Sequence, residues 1–307
     1  HPLVAAHRSA RFASWGLPVA DLTAGLGGDL TALAASGLHA VGLERDPAHA
    51  LFAAANVGVS VARGDAASPP FDIGRMAVVI DPSRREGGPR RFDPSAFSPP
   101  WDVALALANR AKAAVIKAPP GLGAEFVPSA AELEAVQLGG SMRETAVWFG
   151  ADVRPGLRRA TLLPAGVNLD SDEPEASAEP VGVGPVLFDP ESCVTRATLV
   201  THLAYRLGAR LMDPYIAYLT APEPAFSPFA ATFEVLESLP FSVARLKERL
   251  RAGSWKPDEI RRRAFPVEPD DLRKLLGKLE GSPVTLLLTT LGGRRTVFIC
   301  RRLFASD

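Results

Sequence analysis

Two carboxylates flank a glycine-rich turn near the start of this 307-residue chain. Asp21 closes an apolar run at 17–22 and leads into Thr23-Ala24-Gly25-Leu26-Gly27-Gly28-Asp29, and Glu44 lies nineteen residues beyond Gly25. Gly25, Gly27 and Gly28 permit a tight turn and close approach of backbone to a ligand. The helix expected after them presents free N–H groups at its start. An acid before the turn repels a diphosphate, and no Lys-Ser or Lys-Thr pair completes a triphosphate cradle. The same acid suits a ligand with a positively charged amino-acid end. Glu44, at the end of the next expected strand, can bind two ribose hydroxyls, and Asp65 after the third strand can receive an adenine amino group. For any one of these acids alone, a plain role as helix cap or turn residue stays open.

A second constellation follows the strongly apolar run 76–80, where Asp81-Pro82-Ser83-Arg84 begins a Gly/Pro-rich loop. A carboxylate at such a strand end can orient a reacting group or take its proton. Arg84, Arg85, Arg90 and Arg91 can grip phosphates as bidentate forks; the alternative is a solvated loop with Glu86 and Asp93 as local partners. Lys117 ends another strand on the same edge, either reaching the site or packing its stem on the sheet. Cys193 and Cys300 lie outside the strand-end loops, which excludes a cysteine nucleophile there. Without a CxxC they also exclude a disulfide scaffold or a Cys-rich zinc site. His1, His7, His39, His49 and His202 show no ligand spacing, so no metal is expected.

The elements that must position these residues alternate. Strands are expected at 17–22, 40–43, 59–62, 76–80 and 113–117. Helices are expected at 30–36, 48–56, 101–111 and 130–138, and a closing antiparallel hairpin is expected from 144–149 and 158–163. Strand–helix alternation implies a parallel sheet covered on both faces, with the strand-end loops gathered on one edge where ligands bind. Charge divides the chain further: 34 basic and 34 acidic residues balance overall, but residues 1–150 carry a net −1, 151–192 a net −5 and 193–307 a net +6. The acidic middle lacks apolar periodicity and reads as an exposed linker. A helix-spaced stretch at 189–213 follows it, with Tyr205, Tyr215 and Tyr218 expected to pack. From residue 230 the pattern reads β-α-β-α-β-β, a small ferredoxin-like module, with Gly292-Gly293 as a hairpin signal.

The run Val19-Ala20-Asp21-Leu22-Thr23-Ala24-Gly25-Leu26-Gly27-Gly28-Asp29 resembles the first motif of class I S-adenosylmethionine-dependent methyltransferases. It is most similar to the bacterial group with a C-terminal THUMP-like domain. Val41-Gly42-Leu43-Glu44-Arg45-Asp46, Asp81-Pro82-Ser83-Arg84-Arg85 and Ile116-Lys117-Ala118-Pro119-Pro120-Gly121 agree with it. So do Asp213-Pro214-Tyr215-Ile216-Ala217-Tyr218-Leu219-Thr220 and Ile260-Arg261-Arg262-Arg263. The resemblance implies S-adenosylmethionine as cofactor, its ammonium near Asp21 and its methionine part lined by Thr23, Gly25, Gly27 and Asp29. It implies Glu44 at the ribose, Arg45 over the adenine or exposed, Asp65 and Ala66 at the adenine edge, and Asp81 nearest the transferable methyl. Arg84, Arg85 and Lys117 are the candidate substrate contacts. Members of the group carry an N-terminal helical extension, expected to be shortened or missing here. The aromatic and second proline of base-amine methylating motifs are absent after Asp81-Pro82, which puts that acceptor in doubt.

The expected architecture is α/β: a Rossmann-like methyltransferase domain at 1–166, an acidic linker and connecting helical segment at 167–229, and a THUMP-like, ferredoxin-like α+β domain at 230–307. Arg261, Arg262, Arg263, Arg294, Arg295, Arg301 and Arg302 are read either as an RNA-backbone surface or as edge-strand protection. The expected acceptor is RNA, either tRNA or rRNA. Two rivals stay open: a methyltransferase on a small molecule or protein, and a non-catalytic RNA-binding protein with a relic pocket. Cysteine usage and the lack of an 18-residue apolar run predict a cytoplasmic protein without a membrane helix. The chain starts on His1 rather than Met, so a truncated or processed protein is expected.

Overall fold

Short runs of Val, Ile, Leu and Ala build the first sheet, and the glycines and prolines between them set its helices. The strands are β1 (Val19–Asp21), β2 (Ala40–Glu44), β3 (Val61–Arg63), β4 (Ala77–Ile80) and β7 (Ala113–Ala118), all parallel. Between β4 and β7 lie a two-stranded ribbon, β5 (Ser83–Arg84) with β6 (Phe97–Ser98), and helix α4 (Trp101–Arg110). β8 (Glu132–Leu138), β9 (Ser141–Phe149), β10 (Arg158–Leu163) and β11 (Val167–Asp170) complete a nine-stranded sheet of order β11-β10-β8-β9-β7-β4-β1-β2-β3. The computed structural model describes residues 1–84, 96–119, 122–150 and 152–304, in two compact units, His1–Asp170 and Ser171–Asp307.

Strand order reverses at β1, which has β2 on one side and β4 on the other. Open α/β sheets bind ligands at the carboxyl ends of strands flanking such a reversal. The side-chain period of two then sorts the residues there. Ala77 and Val79 of β4 pack with Leu30 and Leu33 of α2 (Gly28–Ala35), together with Phe12. Val78 and Ile80 pack with Trp101, Ala104 and Leu107 of α4. The sheet is therefore covered on both faces, as expected.

Two local expectations are corrected. Residues 132–138 form strand β8 rather than a helix. Their Ala, Leu and Glu are good helix formers, but β9 and β10 hydrogen-bond the segment from both sides and override the propensity. β9 and β10 do not pair as a hairpin: β9 sits between β7 and β8, and β10 runs parallel to β8. Residues 2–15, to which the sequence reading assigns no element, form α1 (Pro2–Trp15), a helix with Pro in its first turn and Gly16 (φ 62°) at its end. Val4, Ala5, Arg8, Ser9 and Phe12 form its buried face.

In the second unit, β12 (Val186–Pro190), β13 (Arg210–Asp213) and β14 (Ile216–Ala221) join β15 (Ala230–Pro240), β16 (Trp255–Arg263), β17 (Ser282–Leu291) and β18 (Arg294–Arg302). The seven-stranded order is β13-β14-β12-β15-β18-β17-β16. Much of the segment expected to connect the domains thus supplies strands of this sheet, with short helices α5 (Ser192–Arg196) and α6 (Val200–Leu207) between them. From β15 onward the observed order is β-α-β-α-β-β, with α7 (Val243–Ala252) and α8 (Pro269–Leu276) packing Leu246, Leu250, Leu272 and Leu276 on Leu286, Leu288, Val297 and Ile299. The edge strand β16 comes back toward β14: its Arg263 guanidinium stands 5.5 Å from the Tyr218 ring centroid. Tyr218 is buried, but Tyr205 and Tyr215 are exposed rather than packed, Tyr215 to 93%.

Candidate functional site

Period-two alternation explains why four charged residues from four strands meet. Asp21 follows Val19 on β1, Asp81 follows Val79 at the end of β4, Lys117 follows Val115 on β7, and Glu144 precedes Ala146 on β9. Val19, Val79, Val115 and Ala146 all belong to the cluster under α1 and α2, so these four charges share that face at the strand ends. Arg8 from α1 and Asp29 from α2 complete the group.

All but Asp21 form a chain of alternating sign. Arg8 donates to Glu144 and to Asp29, and Lys117 donates to Asp29 Oδ2 (3.1 Å) and to Asp81 Oδ2. Burial works against the charge on Arg8, but Glu144 and Asp29 hold its pKa above the usual value. Lys117 is likewise held above its usual value by Asp29 and Asp81 despite burial. Burial alone would raise Asp29, but Arg8 and Lys117 bring it below the ordinary carboxylate range. Glu144 goes the other way: burial raises it, and the pull of Arg8 and Lys117 does not fully offset that. Asp21 is pushed up to about 7 by burial and then by neighbouring Asp29.

Beside this chain lies a cleft of about 810 Å³, lined among others by Thr23, Gly25, Glu44, Arg45, Asp65 and Ala66. Its volume is that of a small-molecule site. Glu44 Oε2 accepts the Gly25 N–H and Oε1 accepts the Asp46 N–H, both at 2.8 Å. Each carboxylate oxygen has a second acceptor direction, so Glu44 can shape the turn and still receive two hydroxyls. Gly25 sits at φ 53°, a region L side chains rarely adopt. Asp65 Oδ1 accepts the Ala67 N–H at 2.9 Å. A second cavity, of about 460 Å³, is lined by Lys117, Phe97, Arg143 and Glu144. Asp81 lines both cavities.

The residues singled out from sequence fall into three groups. Thr23, Gly25, Glu44, Arg45, Asp65, Ala66 and Asp81 line the larger cleft, and Lys117 lines the smaller one beside Asp81. Asp21, Gly27 and Asp29 lie behind these walls. Asp21 is 2% exposed and accepts the Thr23 N–H at 3.0 Å. Gly27 (φ 88°) caps α2, where an added Cβ would lie 2.5 Å from Val57 Cγ2. Asp29 is held by Arg8 and Lys117. Arg84 stands in β5, and Arg85 lies outside the described residues, as do Arg90 and Arg91. Sequence reading missed Arg8, Arg143 and the role of Glu144. The buried-face spacing of α1, with Arg8 in its centre, was the available signal.

The basic surface expected of the tail is largely neutralised. Arg261 donates to Glu259 and Asp189, Arg263 to Asp189, Arg262 to Glu268, Arg301 to Glu234 and Arg302 to Glu259. With Asp189 only 6% exposed, its pairs with Arg261 and Arg263 serve the fold of the second sheet. Arg294 and Arg295 remain exposed at the β17–β18 hairpin. Among the described residues, no group of three His, Cys, Asp or Glu could hold a metal ion, and no helix is long and apolar enough to cross a membrane.

Known proteins resemble this chain over most of its length. The THUMP domain-like family model matches residues 230–302. Two strains of Mycobacterium tuberculosis carry an uncharacterized S-adenosylmethionine-dependent methyltransferase that is 34% identical over 314 residues, covering 97% of this chain and 85% of the relative. A crystal structure from Porphyromonas gingivalis W83, of a protein assigned as a methyltransferase, shares the fold with a TM-score of 0.71. It is 23% identical, and the match covers 97% of this chain and 81% of that one.

Proposed function

The chain belongs to the S-adenosylmethionine-dependent methyltransferases, and from that premise we propose that it methylates RNA, with the methyl donor in the larger cleft and the acceptor in the smaller one. The observation that carries this reading is the position of Asp81, which borders both cavities. A group at that border can touch an acceptor and a donor held on its two sides.

The larger cleft fits the donor by the chemistry of its walls. Glu44 offers acceptors to a ribose diol, Asp65 offers a carboxylate to an adenine amino group, and the Thr23–Gly25 turn leaves room for the amino-acid end. Bound there, S-adenosylmethionine supplies a methyl group on a cationic sulfur, open to in-line attack. Asp81 Oδ2 is taken by Lys117, which leaves Oδ1 to accept a hydrogen bond from the acceptor and fix its angle of approach. Positioning of this kind is the main resource for a displacement reaction. A carboxylate at that position can also receive the acceptor's proton.

RNA as acceptor is supported by the similarity of residues 230–302 to THUMP domains and by the exposed arginines of the β17–β18 hairpin. Asp213 Oδ1 accepts the Tyr215 N–H (2.8 Å) and its Oδ2 accepts the Gly292 N–H (3.3 Å). An exposed aromatic ring and the Arg294–Arg295 hairpin are thereby tethered to one carboxylate. Stacking plus backbone charge is how unpaired RNA is held.

The test is transfer of labelled methyl groups to RNA from cells lacking the protein. RNA should be labelled by the wild type and not by Asp81→Asn, with donor affinity by calorimetry largely kept. Label in the protein or small-molecule fraction instead would replace the RNA reading. Donor binding without any label would make the protein a non-catalytic binder.

A further inference from the structure

Glu144 carries an unused hydrogen-bond acceptor beside the proposed transfer point. Its side chain is 7% exposed and lines the 460 Å³ cavity, and Oε2 accepts from Arg8. Oε1 is buried and has no hydrogen-bond partner. A buried carboxylate oxygen left unpaired costs stability, so the missing partner calls for an explanation.

The neighbouring residue is aimed at the same cavity by a distortion of the strand. Glu144 pairs with Val136 and Met142 with Gln137, so two consecutive residues of β8 span three of β9 and Arg143 is the extra one. In a regular strand, residues 143 and 144 would face opposite sides of the sheet. A bulge re-aims the extra side chain, and both Arg143 and Glu144 line the cavity. A carboxylate acceptor and a guanidinium donor thus border one cavity together with Asp81 and Phe97.

We propose that this cavity reads the edge of a nucleobase: Glu144 Oε1 accepts an N–H, Arg143 donates to the adjacent ring nitrogen or carbonyl, and the atom to be methylated faces Asp81. The reaction is therefore on a base rather than on a ribose hydroxyl. Heterocyclic edges present a donor beside an acceptor, whereas a ribose offers no flat edge. This inference rests on the reading that the smaller cavity takes the methyl acceptor.

The test uses the whole protein saturated with S-adenosylhomocysteine, so that the larger cleft is filled. The four nucleoside 5′-monophosphates and ribose 5-phosphate are titrated separately and followed by ligand-observed NMR. At least one nucleotide should bind through its base protons, while ribose 5-phosphate does not bind. Glu144→Gln keeps an oxygen for Arg8 but turns an amide NH₂ toward the cavity, and should weaken that nucleotide about tenfold with S-adenosylhomocysteine affinity unchanged. Arg143 is exposed, so Arg143→Met is a second variant with little risk to folding, and it should weaken the same nucleotide. The inference is overturned if no nucleotide binds, if ribose 5-phosphate binds as well as they do, or if both variants leave affinity unchanged. RNA labelling that is indifferent to both variants would leave the RNA reading standing and remove this one. Base binding without RNA labelling would do the reverse.

Discussion

The backbone N–H of Asp81 donates to Thr23 Oγ1 at 2.7 Å. This bond ties the end of β4 to the turn after β1, so the carboxylate at the border of the two cavities and the floor of the larger one move as a unit. Thr23→Val keeps the shape and removes the acceptor, leaving the Asp81 N–H unpaired. Methyl transfer should fall about tenfold or more, since the lost bond is worth roughly 1–3 kcal/mol. Donor affinity should change less. Thr23→Ser should restore the rate, because its hydroxyl can take the same position. Single-turnover rates and donor titration on the three proteins check this, and a valine variant as fast as wild type would detach Thr23 from the site.

Asp21 predicts a pH dependence of stability. Its folded-state pKa is raised to about 7, first by burial and then by Asp29, whereas the unfolded value is near 4. A raised pKa means that the folded chain binds the proton more tightly, so no penalty exists below the unfolded value. The penalty grows as pH rises through the window from about 4 to 7. Asp21→Asn keeps an oxygen for the Thr23 N–H and cannot ionise. Its melting temperature should match wild type near pH 4 and exceed it increasingly up to pH 8. A constant difference between the two proteins across that range would contradict the assignment.

Arg8 predicts a large loss of stability from one substitution. The guanidinium is buried and bridges Glu144 and Asp29, themselves 7% and 16% exposed. Removing one partner of a buried ionic group leaves uncompensated charge and costs about 3–5 kcal/mol. Arg8→Met fills the same volume without the charge, so urea unfolding should show that loss. An effect below about 1 kcal/mol would mean that Lys117 alone suffices to hold the two carboxylates.

Much of this arrangement was legible in the sequence because it is local. The turn from Asp21 to Asp29, Glu44 at the next strand end and Asp81 after an apolar strand announce themselves by spacing alone. The ionic chain was not legible, because its members are joined across 136 residues from Arg8 to Glu144. The alternation that puts Lys117 and Glu144 on one face was hidden while the neighbouring 132–138 read as a helix, since without β8 the place of β9 in the sheet is undefined. The arginines of the tail show the opposite error. Three in a row read as a charged surface, but a strand turns alternate side chains to opposite faces, and Asp189 on another strand receives two of them.

That difference separates two sets of arginines by experiment. Arg261 and Arg263 of the edge strand β16 donate to Asp189 of β12 at 2.8 Å and 2.6 Å. Replacing either with Met leaves the carboxylate short of one partner and should lower unfolding stability by about 1–3 kcal/mol. Arg294→Ala and Arg295→Ala act on exposed side chains and should change stability by less than about 0.5 kcal/mol. Their effect should appear in RNA binding instead: weaker affinity for a single-stranded oligonucleotide and a shallower dependence on salt, by about one ion for each charge removed. Tyr215→Ala should weaken the same complex without altering the salt slope, because stacking releases no counterions. Fluorescence anisotropy at several salt concentrations, beside urea unfolding of each variant, measures both quantities. Equal RNA affinity in all three hairpin and turn variants would exclude this end of the module as the RNA contact.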